Sequence, residues 1–390
     1  MLLIKNGHIK TMAGREFTNG SVLIGDDGKI TAVGEALEAP EGAPVIDAQG
    51  RLVTPGCVDA HCHIGLDNEA VGWEGRDYNE IVEPITPQMR AIDSIYPQDQ
   101  AFPNAIRGGV TTACTGPGSA NVIGGQFAAM KTAGSRVEDM VLCEPIAMKA
   151  AFGENPKRVY SGSKTFYTRM TVASTLRKTL IETREYDRKL REAENDESKK
   201  PAFDFKLESM LPVIRRELPL KIHAHRADDI LTAIRIAKEF DLRITLDHFT
   251  EGYLIINRIK DDLKQLDAGV IVGPLLSDRS KIELRNLSMT APRTLYENGI
   301  KFAMMTDHPV IPEQYLPVCA ALAVREGLPE KAALESITIN AAEIVGISDR
   351  VGSIEVGKDA DIAVFYGHPF DFRARCVMTL VNGEIVFDEL

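Results

Sequence analysis

The sequence has no apolar run approaching the roughly 20 residues that a membrane-spanning helix needs. Its opening segment, MLLIKNGHIK, lacks the charged start, long apolar core and cleavage site of an export signal. Six cysteines in 390 residues are scattered without the intervals of a disulfide framework. These absences predict a protein of the reducing cytoplasm that has no membrane partner.

Positive charge is also scarce, because the formal net charge is -11 at pH 7. Nucleic-acid binding by counterion release requires clustered lysine and arginine, so we expect no nucleic-acid partner. Neither a GxGxxG dinucleotide fingerprint nor a P-loop occurs in the sequence. The sequence therefore gives no sign of a nucleotide-binding protein.

What is present is the composition of a soluble globular protein, with 44% hydrophobic and 26% charged residues. The length exceeds that of a usual single domain but fits one α/β barrel with an accessory piece. Short strand patterns with hairpin signals at Asp27-Gly28 and Asn382-Gly383 occupy the two ends of the chain. Because chain termini often lie close together, we predict one small β-rich domain from residues 1–52 and 350–390.

In residues 53–349, apolar strand-like runs alternate with helical patterns, which favours a parallel sheet or barrel. The predicted strands lie within 52–64, 109–115, 124–132, 140–152, 220–225, 242–248, 268–275 and 300–307. The clearest helical patterns cover residues 227–240 and the surroundings of 262–266, and a long charged segment covers 171–195.

The first of these strands runs into two histidines, His61 and His63. Side chains alternate faces along a strand, so both imidazoles project to one side while Cys62 points to the other. Neutral imidazole is the commonest protein metal ligand near neutral pH, and two rings on one face can converge on one divalent ion. An ordinary polar pair at a strand end would give the same motif, so the rest of the chain must decide.

Several other predicted strands also end in a potential ligand. These residues are Lys149, His223, His225, His248 and Asp307. In a closed parallel barrel the carboxyl ends of all strands face one mouth, so residues distant in sequence meet there. The set indicates a metal site at that mouth.

With these residues the chain resembles the amidohydrolase superfamily of metal-dependent hydrolases, and in particular its isoaspartyl dipeptidase, dihydroorotase and imidazolonepropionase members. The resemblance rests on His223 and His248 and on the motifs PGCVDAHCH, GVTT, TDHP and VGSIEVGKDADIAVF. It implies a (β/α)8 TIM barrel over residues 53–349, with a small β-sandwich domain formed by the N- and C-terminal segments. It also implies hydrolysis of a C–N bond in an amide, cyclic amide or dipeptide-like small molecule.

The resemblance assigns one divalent ion to His61, His63 and Asp307, and a second to His223 and His248. Lys149, in the setting AMKAAFGENP, is the candidate for a carboxylated lysine that bridges two ions. The alternative for this lysine is a surface position or an indirect role, in a site that holds a single ion or is bridged by another group. Zinc is the default metal for histidine-rich hydrolytic sites. In the implied mechanism a metal-bridging hydroxide attacks, and Asp307 serves as general base and then as general acid.

Arg226 bears on the choice between branches of the superfamily. Mononuclear deaminases and imidazolonepropionases usually carry a glutamate at this place, three residues after the first of the later histidines. An always-protonated guanidinium cannot take up a proton, so Arg226 favours binuclear hydrolysis over these alternatives. A non-catalytic scaffold member is a third possibility, which the complete set of ligand residues disfavours.

Three residues are predicted to contact the substrate. Arg158 and Arg226 each follow a strand end, where a guanidinium can pair with a substrate carboxylate or form a structural ion pair. We expect His225 to point to the face opposite His223 if the strand stays regular, and to donate to the oxyanion if the strand twists at its end. We also expect the protein to be a homo-oligomer.

Overall fold

The computed structural model describes residues 1–162, 168–194 and 196–390. The fold is mixed α/β, with an eight-stranded, nearly closed barrel sheet and a β-sheet domain built from the N- and C-terminal segments. The predicted fold class is therefore confirmed.

The terminal domain is one sheet that combines strands from the two ends of the chain. Its strands are β1 (Leu2–Lys10), β2 (Glu16–Ile24), β3 (Ile30–Glu35), β4 (Val45–Asp47), β5 (Leu52–Pro55), β14 (Ile362–Tyr366), β15 (Arg375–Val381) and β16 (Glu384–Asp388). They follow the order β16-β15-β14-β5-β1-β2-β3, with β4 paired to β1. Both predicted hairpins are confirmed, because β2 pairs antiparallel with β3, and β15 pairs antiparallel with β16.

This sheet curls around a single apolar core. Strands that are distant in the sheet order contribute to one buried cluster, which includes Ile4, Val22 and Leu380. At the hairpin turns, a Cβ on Gly28 would lie 2.1 Å from the carbonyl oxygen of Asn382, so only glycine fits there. The two ends of the chain thus pack together, while the domain boundaries at 52/53 and 349/350 stay a prediction.

The barrel sheet follows the order β13-β12-β11-β10-β9-β8-β7-β6. Its strands are β6 (Cys57–Cys62), β7 (Val110–Thr115), β8 (Ile123–Lys131), β9 (Val141–Ala151), β10 (Leu220–Ala224), β11 (Ile244–His248), β12 (Gly269–Val272) and β13 (Ala303–Met304). The two edges meet where the backbone N–H of Asp307 donates to the carbonyl oxygen of His61 at 3.2 Å.

One barrel strand departs from the expected parallel arrangement. β8 is antiparallel to both β7 and β9, whereas the other neighbouring strands are parallel. Residues 116–122 connect β7 to β8, and a parallel crossover needs a connection of about a dozen residues or more. The expectation of eight parallel strands is therefore wrong at β8.

The described helices are α1 (Ala101–Arg107), α2 (Val137–Met140), α3 (Glu154–Ser161), α4 (Arg169–Ala193), α5 (Phe205–Ile214), α6 (Ala227–Phe240), α7 (Gly252–Leu266), α8 (Ala291–Glu297), α9 (Leu316–Arg325), α10 (Glu330–Ser336) and α11 (Ile339–Val345). The charged segment 171–195 corresponds to α4, and its last predicted residue, Asn195, lies outside the described residues. Within the described ranges, none of the helices is both long and apolar enough to cross a membrane.

The helix α6 shows how these elements arise from the sequence. It begins and ends at the predicted residues, with Asp228 and Asp229 in its first turn, where the helix dipole favours carboxylates. The buried residues Ile230, Ala233 and Ala237 recur at helical spacing and cover the barrel. This packing holds the end of β10 and the start of α6 at the barrel mouth.

Candidate metal centre and active site

Side chains from the ends of five barrel strands meet at one mouth of the barrel. They lie at or shortly after the ends of β6, β9, β10, β11 and β13, and they are His61, His63, Lys149, His223, His225, His248 and Asp307. Six of them form two groups of potential metal ligands, His61 with His63 and Asp307, and His223 with His225 and His248. In each group, one ligand atom per residue lies within 4.8 Å of the others.

The first group combines two imidazoles and a carboxylate. The Nε2 atoms of His61 and His63 each lie 3.4 Å from Oδ1 of Asp307. Both rings lie on one face of the strand, with centroids 5.3 Å apart, while Cys62 packs in an apolar core. Two nitrogen atoms and one carboxylate oxygen facing a common point match the donor set of a divalent metal ion.

The Nδ1 atom of each of these two histidines, on the side of the ring away from Asp307, lies close to an oxygen atom. Nδ1 of His63 donates to the carbonyl oxygen of Gly116 at 2.7 Å, and Nδ1 of His61 lies 2.9 Å from Oδ2 of Asp247. A carbonyl can only accept, so the proton of the His63 ring is on Nδ1 and the lone pair is on Nε2. This orientation is the one that a metal-ligating histidine requires.

The second group consists of three imidazoles whose ring centroids lie between 4.2 and 4.6 Å apart. In each ring Nδ1 has a hydrogen-bond partner. Nδ1 of His223 lies 2.9 Å from Oγ of Ser119, and Nδ1 of His225 lies 2.8 Å from Oγ1 of Thr250. Nδ1 of His248 lies 3.1 Å from the carbonyl oxygen of Gly273. Their Nε2 atoms are buried and have no hydrogen-bond partner among the described residues. Buried polar atoms are normally satisfied, so three converging unpartnered nitrogens fit a metal ion.

The protonation states of the site suit metal binding. Desolvation by burial lowers the pKa of His61, His223, His225 and His248, in the last case to about 3. These imidazoles are therefore neutral at pH 7 and have lone pairs to offer. Burial raises the pKa of Asp307, but the surrounding imidazoles, His248 foremost, hold it well below the usual range, so the carboxylate is ionised.

The position of His225 differs from the regular-strand prediction. His223 lies in β10, and His225 directly follows the last residue of that strand, Ala224. Its ring centroid lies 4.6 Å from that of His223, in the same ligand group. The expectation that the two side chains point to opposite faces is wrong, because residues two apart in a strand share a face, as His61 and His63 do.

Two of the ligand positions have a strained backbone. His248 has a φ of 69° and Asp307 a φ of 55°, in the left-handed region that residues other than glycine rarely adopt. Such positions cost about 1–3 kcal/mol and persist only where the surrounding contacts over-determine them. At His248 the contact is Nδ1 to the Gly273 carbonyl, and at Asp307 it is the backbone hydrogen bond to His61. Strain of this kind is concentrated at functional sites.

Lys149 lies beside the first ligand group. Its Nζ is 3.4 Å from Nε2 of His61, and the side chain is fully buried. Burial lowers the pKa of Lys149 to about 8. At pH 7 about a tenth of this amine is then neutral, and the neutral form is the one that can react with carbon dioxide.

A buried ion pair supports the site from within the barrel. Nζ of Lys221 lies 3.2 Å from Oδ2 of Asp247 and donates to the carbonyl oxygen of Ala60 at 3.0 Å. The Thr245 hydroxyl donates to Oδ1 of the same carboxylate at 3.0 Å. Burial raises the pKa of Asp247, but the Lys221 ammonium and His61 hold it well below its usual range. An ionised carboxylate therefore faces the His61 ring and fixes its orientation.

Comparison with known proteins assigns the family. Residues 52–386 match the family described as "Amidohydrolase family". The chain belongs to the amidohydrolase family. It is a hydrolase of this superfamily that carries HxH metal-binding motifs, His61 with His63 and His223 with His225.

Individual relatives agree with this assignment. Amidohydrolase tasK of Hapsidospora irregularis is 31% identical over 397 residues, which cover 95% of this chain but only 40% of that protein. The imidazolonepropionase of Sphingopyxis alaskensis is 25% identical over 95% of this chain and 93% of its own length. The crystal structure of an amidohydrolase from Thermotoga maritima MSB8 has 42% sequence identity and a TM-score of 0.95, and the match covers 100% of both chains.

In this amidohydrolase five of the six ligand residues, all except His61, line a cavity of about 550 Å³. A cavity of this size accommodates a small molecule. Arg158 on α3 lines the cavity, as predicted for a residue of the barrel mouth. Arg226 is not among the lining residues, because its guanidinium pairs with Asp228 at 2.9 and 2.8 Å at the start of α6. It forms the structural ion pair that was the alternative to substrate binding.

Sequence reasoning missed several residues of the amidohydrolase site. Asp247 and Lys221 did carry a signal, because each is a charged residue inside a predicted barrel strand. Ser119, which holds His223, and Lys281, which lines the cavity, lie in connecting segments outside the strands and helices. No local pattern in the sequence links those segments to the barrel mouth.

Proposed function

We propose that this amidohydrolase is a binuclear metal-dependent hydrolase that cleaves a C–N bond in an amide, cyclic amide or dipeptide-like small molecule. The observation that carries the proposal is the pair of neighbouring ligand groups beside one cavity. Three of their buried Nε2 atoms lack a partner among the described residues. Zinc suits a donor set of imidazoles and carboxylate.

The two groups would hold neighbouring ions. His61, His63 and Asp307 would hold the first, and His223 and His248 the second, with His225 as an additional candidate ligand. The ring centroids of His61 and His248 are 5.6 Å apart, which supports adjacent sites. Bound divalent ions supply Lewis acidity toward a carbonyl group and lower the pKa of bound water.

Lys149 is proposed to be carboxylated and to bridge the ions. Two neighbouring divalent cations repel each other, and an anion between them offsets that repulsion. In the modification, the neutral amine nitrogen forms a bond to the carbon of carbon dioxide, and one proton is released to solvent. The burial of this lysine, its lowered pKa and its distance of 3.4 Å from Nε2 of His61 support the assignment.

Asp307 is proposed to move the proton during hydrolysis. A C–O bond forms between the water oxygen and the substrate carbonyl carbon, and the C–N bond breaks. Asp307 accepts a proton from the attacking water and delivers it to the departing nitrogen. Its ionised carboxylate, which is 15% exposed and lines the cavity, supports this role.

A mononuclear deaminase or an imidazolonepropionase-like hydrolase is the second candidate. The similarity to an imidazolonepropionase over 95% of the chain favours it. The two candidates differ in metal content, since the second requires one ion per chain and makes Lys149 dispensable. A non-catalytic scaffold is disfavoured because the ligand positions are filled.

We further propose that the protein acts in the cytoplasm as a homo-oligomer, on a small-molecule substrate and without nucleic-acid or membrane partners. The six unpaired cysteines and the net charge of -11 support this setting. Size-exclusion chromatography with light scattering measures the oligomeric state directly.

The function is tested by reconstituting chelator-treated protein with zinc in bicarbonate buffer. Cyclic amides, N-acyl amino acids, dipeptides and imidazolonepropionate are then screened for release of an amine or opening of a ring. We expect hydrolysis of at least one class, and its loss in His63→Ala and His223→Ala. Zinc-loaded protein that cleaves none of these C–N bonds would refute the proposal.

A further inference from the structure

Two cations of the cavity have no carboxylate partner. Arg158 and Lys281 both line the cavity above the metal groups, and among the described residues neither forms an ion pair within 4 Å. The only hydrogen bond that the Lys281 ammonium makes there is to Oδ1 of Asn155, at 3.2 Å. Arg158 is exposed, whereas Lys281 is half-buried. A half-buried charge without a counter-ion is unfavourable, so Lys281 calls for an anion supplied by a ligand.

The segment that carries Lys281 is anchored in place. Glu283, two residues further on, is buried and accepts the backbone N–H of Glu154 at 2.6 Å. Nη2 of Arg169 donates to the same carboxylate at 3.1 Å. These contacts join the segment after β12 to the first residue of α3, the helix that also carries Arg158. The two cations are thus held on connected parts of one rim.

Lys281 shares its cavity with residues of both metal groups. Burial lowers the pKa of Lys281, while the carboxylates of Glu283 and Asp307 oppose that effect. Lys281 lines the same cavity as His223, His225, His248 and Asp307. Asp278 also lines the cavity, yet it forms no ion pair with either cation.

We propose that Lys281, together with Arg158, binds a carboxylate group of the substrate and so selects N-acyl amino acids or dipeptides that have a free carboxylate. This inference rests on the proposed function, because it presumes that the scissile amide lies at the metal groups. The ammonium and the guanidinium then form charge-assisted hydrogen bonds with the carboxylate at the cavity rim. Neutral cyclic amides lack the group that these cations bind.

The test uses matched compounds that differ only in the carboxylate. N-acetyl-L-leucine is compared with N-acetyl-3-methylbutylamine, and the comparison is repeated for other N-acetyl amino acids and their decarboxylated counterparts. Zinc-loaded wild-type protein is assayed beside Lys281→Met and Lys281→Arg. Lys157→Met is the matched control, since Lys157 lies on α3 but does not line the cavity.

We expect Lys281→Met to raise KM for the carboxylate compound by roughly 10- to 100-fold, the range for a hydrogen bond between charged groups. The kcat of Lys281→Met for the carboxylate compound, and its KM for the neutral compound, should change little. Lys281→Arg should keep most of the preference for the carboxylate compound over the neutral compound, and Lys157→Met should keep all of it. An equal KM for both compounds in the wild type, or an equal rise for both in Lys281→Met, would overturn the inference.

Failure of the inference can be told apart from failure of the proposed function. If neither compound series is hydrolysed, calorimetric titration of the zinc-loaded protein with both compounds still tests the carboxylate site. Tighter binding of N-acetyl-L-leucine that Lys281→Met abolishes would support the site even then. Equal binding of the two compounds would refute it.

Discussion

Lys149 is the single residue on which the number of bound ions depends. In Lys149→Ala we expect zinc content to fall from about two ions per chain to about one, with activity lower by at least about 100-fold, because the bridging anion is lost. Metal analysis after dialysis and a hydrolysis assay measure both effects. Added acetate should restore part of the activity by supplying a carboxylate to the vacated space.

The control for this substitution is Lys206→Ala. Lys206 lies in the first turn of α5, where it pairs with Glu83, and it does not line the cavity. It should retain zinc and activity. Unchanged zinc content in Lys149→Ala would contradict the bridging role and favour the mononuclear alternative.

Asp247 should act by holding His61 rather than by touching the substrate. Asp247→Asn removes the charge that faces His61 and leaves the Lys221 ammonium buried without a counter-ion. We expect zinc affinity to fall by about 10- to 100-fold and the free energy of unfolding to fall by about 3–5 kcal/mol. Competition with a metal chelator and denaturant unfolding measure the two quantities.

The double variant Asp247→Asn/Lys221→Met separates the two effects. Removing the unpaired ammonium should recover most of the lost stability, while zinc affinity stays low because the His61 ring is still unsupported. Recovery of both quantities together would mean that the ion pair has only a structural role.

Among the secondary structure elements, the strongest periodic patterns were predictable. The helix α6 and the hairpins β2–β3 and β15–β16 follow from local sequence, because apolar spacing and turn residues act within a few positions. The direction of β8 was not predictable from strand propensity, which is the same for parallel and antiparallel pairing. It depends instead on the length of the connection from β7.

The same distinction applies to the candidate site. The strand-end positions of His61, His63, His223, His248 and Asp307 were evident because a barrel gathers such ends. His225 was misjudged because residues two apart in a strand share a face, so His223 and His225 repeat the arrangement of His61 and His63. Lys281 was missed because long-range contacts, such as those of Glu283, decide where its segment lies.

The segment after β13 is tied to β6 by two buried carboxyl groups, Asp59 and Glu313. Oγ1 of Thr306 donates to Oδ2 of Asp59 at 2.6 Å and lies 3.2 Å from Oε2 of Glu313. Burial raises the pKa of Asp59 to about 6, and burial and the Asp59 charge raise that of Glu313 well above its usual value. A raised pKa in the folded state means that stability is present at low pH and lost as pH rises through that pKa.

We therefore expect Glu313→Gln to change the free energy of unfolding more favourably at pH 8 than at pH 5. The difference between the two effects should be at least about 1 kcal/mol. The amide removes one of the two buried charges that repel each other at high pH. Thermal unfolding of chelator-treated protein at both pH values measures the difference without a contribution from bound metal. An equal effect at the two pH values would contradict the carboxyl pair as the cause.

For the molecule as a whole, a buried ion network joins the barrel to the terminal sheet. Nζ of Lys131, at the end of β8, lies 3.0 Å from Asp359 and 2.7 Å from Asp361, and all three side chains are buried. Arg350 and Lys29 also pair with Asp359. The motif GKDADIAVF near the end of the chain thus supplies the carboxylates that bind the barrel to the sheet.

In Lys131→Met we expect the free energy of unfolding to fall by about 3–5 kcal/mol, because two buried carboxylates lose a counter-ion. Burial raises the pKa of Asp359, but Arg350, Lys29 and Lys131 hold it well below its usual range. Stability from this network is therefore present above about pH 4 and lost as pH falls, so the effect of Lys131→Met should shrink in acid. Denaturant unfolding at pH 7 and pH 3 tests this.

The matched control is Arg188→Met. Arg188 forms exposed ion pairs on α4, which contribute at most about 1 kcal/mol. If Lys131→Met lowers the free energy of unfolding no more than Arg188→Met does, the network does not link the two parts of the molecule.

The most direct measurement is the number of zinc ions retained per chain after chelation, reconstitution in bicarbonate buffer and exhaustive dialysis. Two ligand groups and a bridging lysine predict about two ions in the wild type and about one in His223→Ala. A wild-type protein that retains no zinc, or retains the same amount as His223→Ala, would contradict the binuclear metal centre.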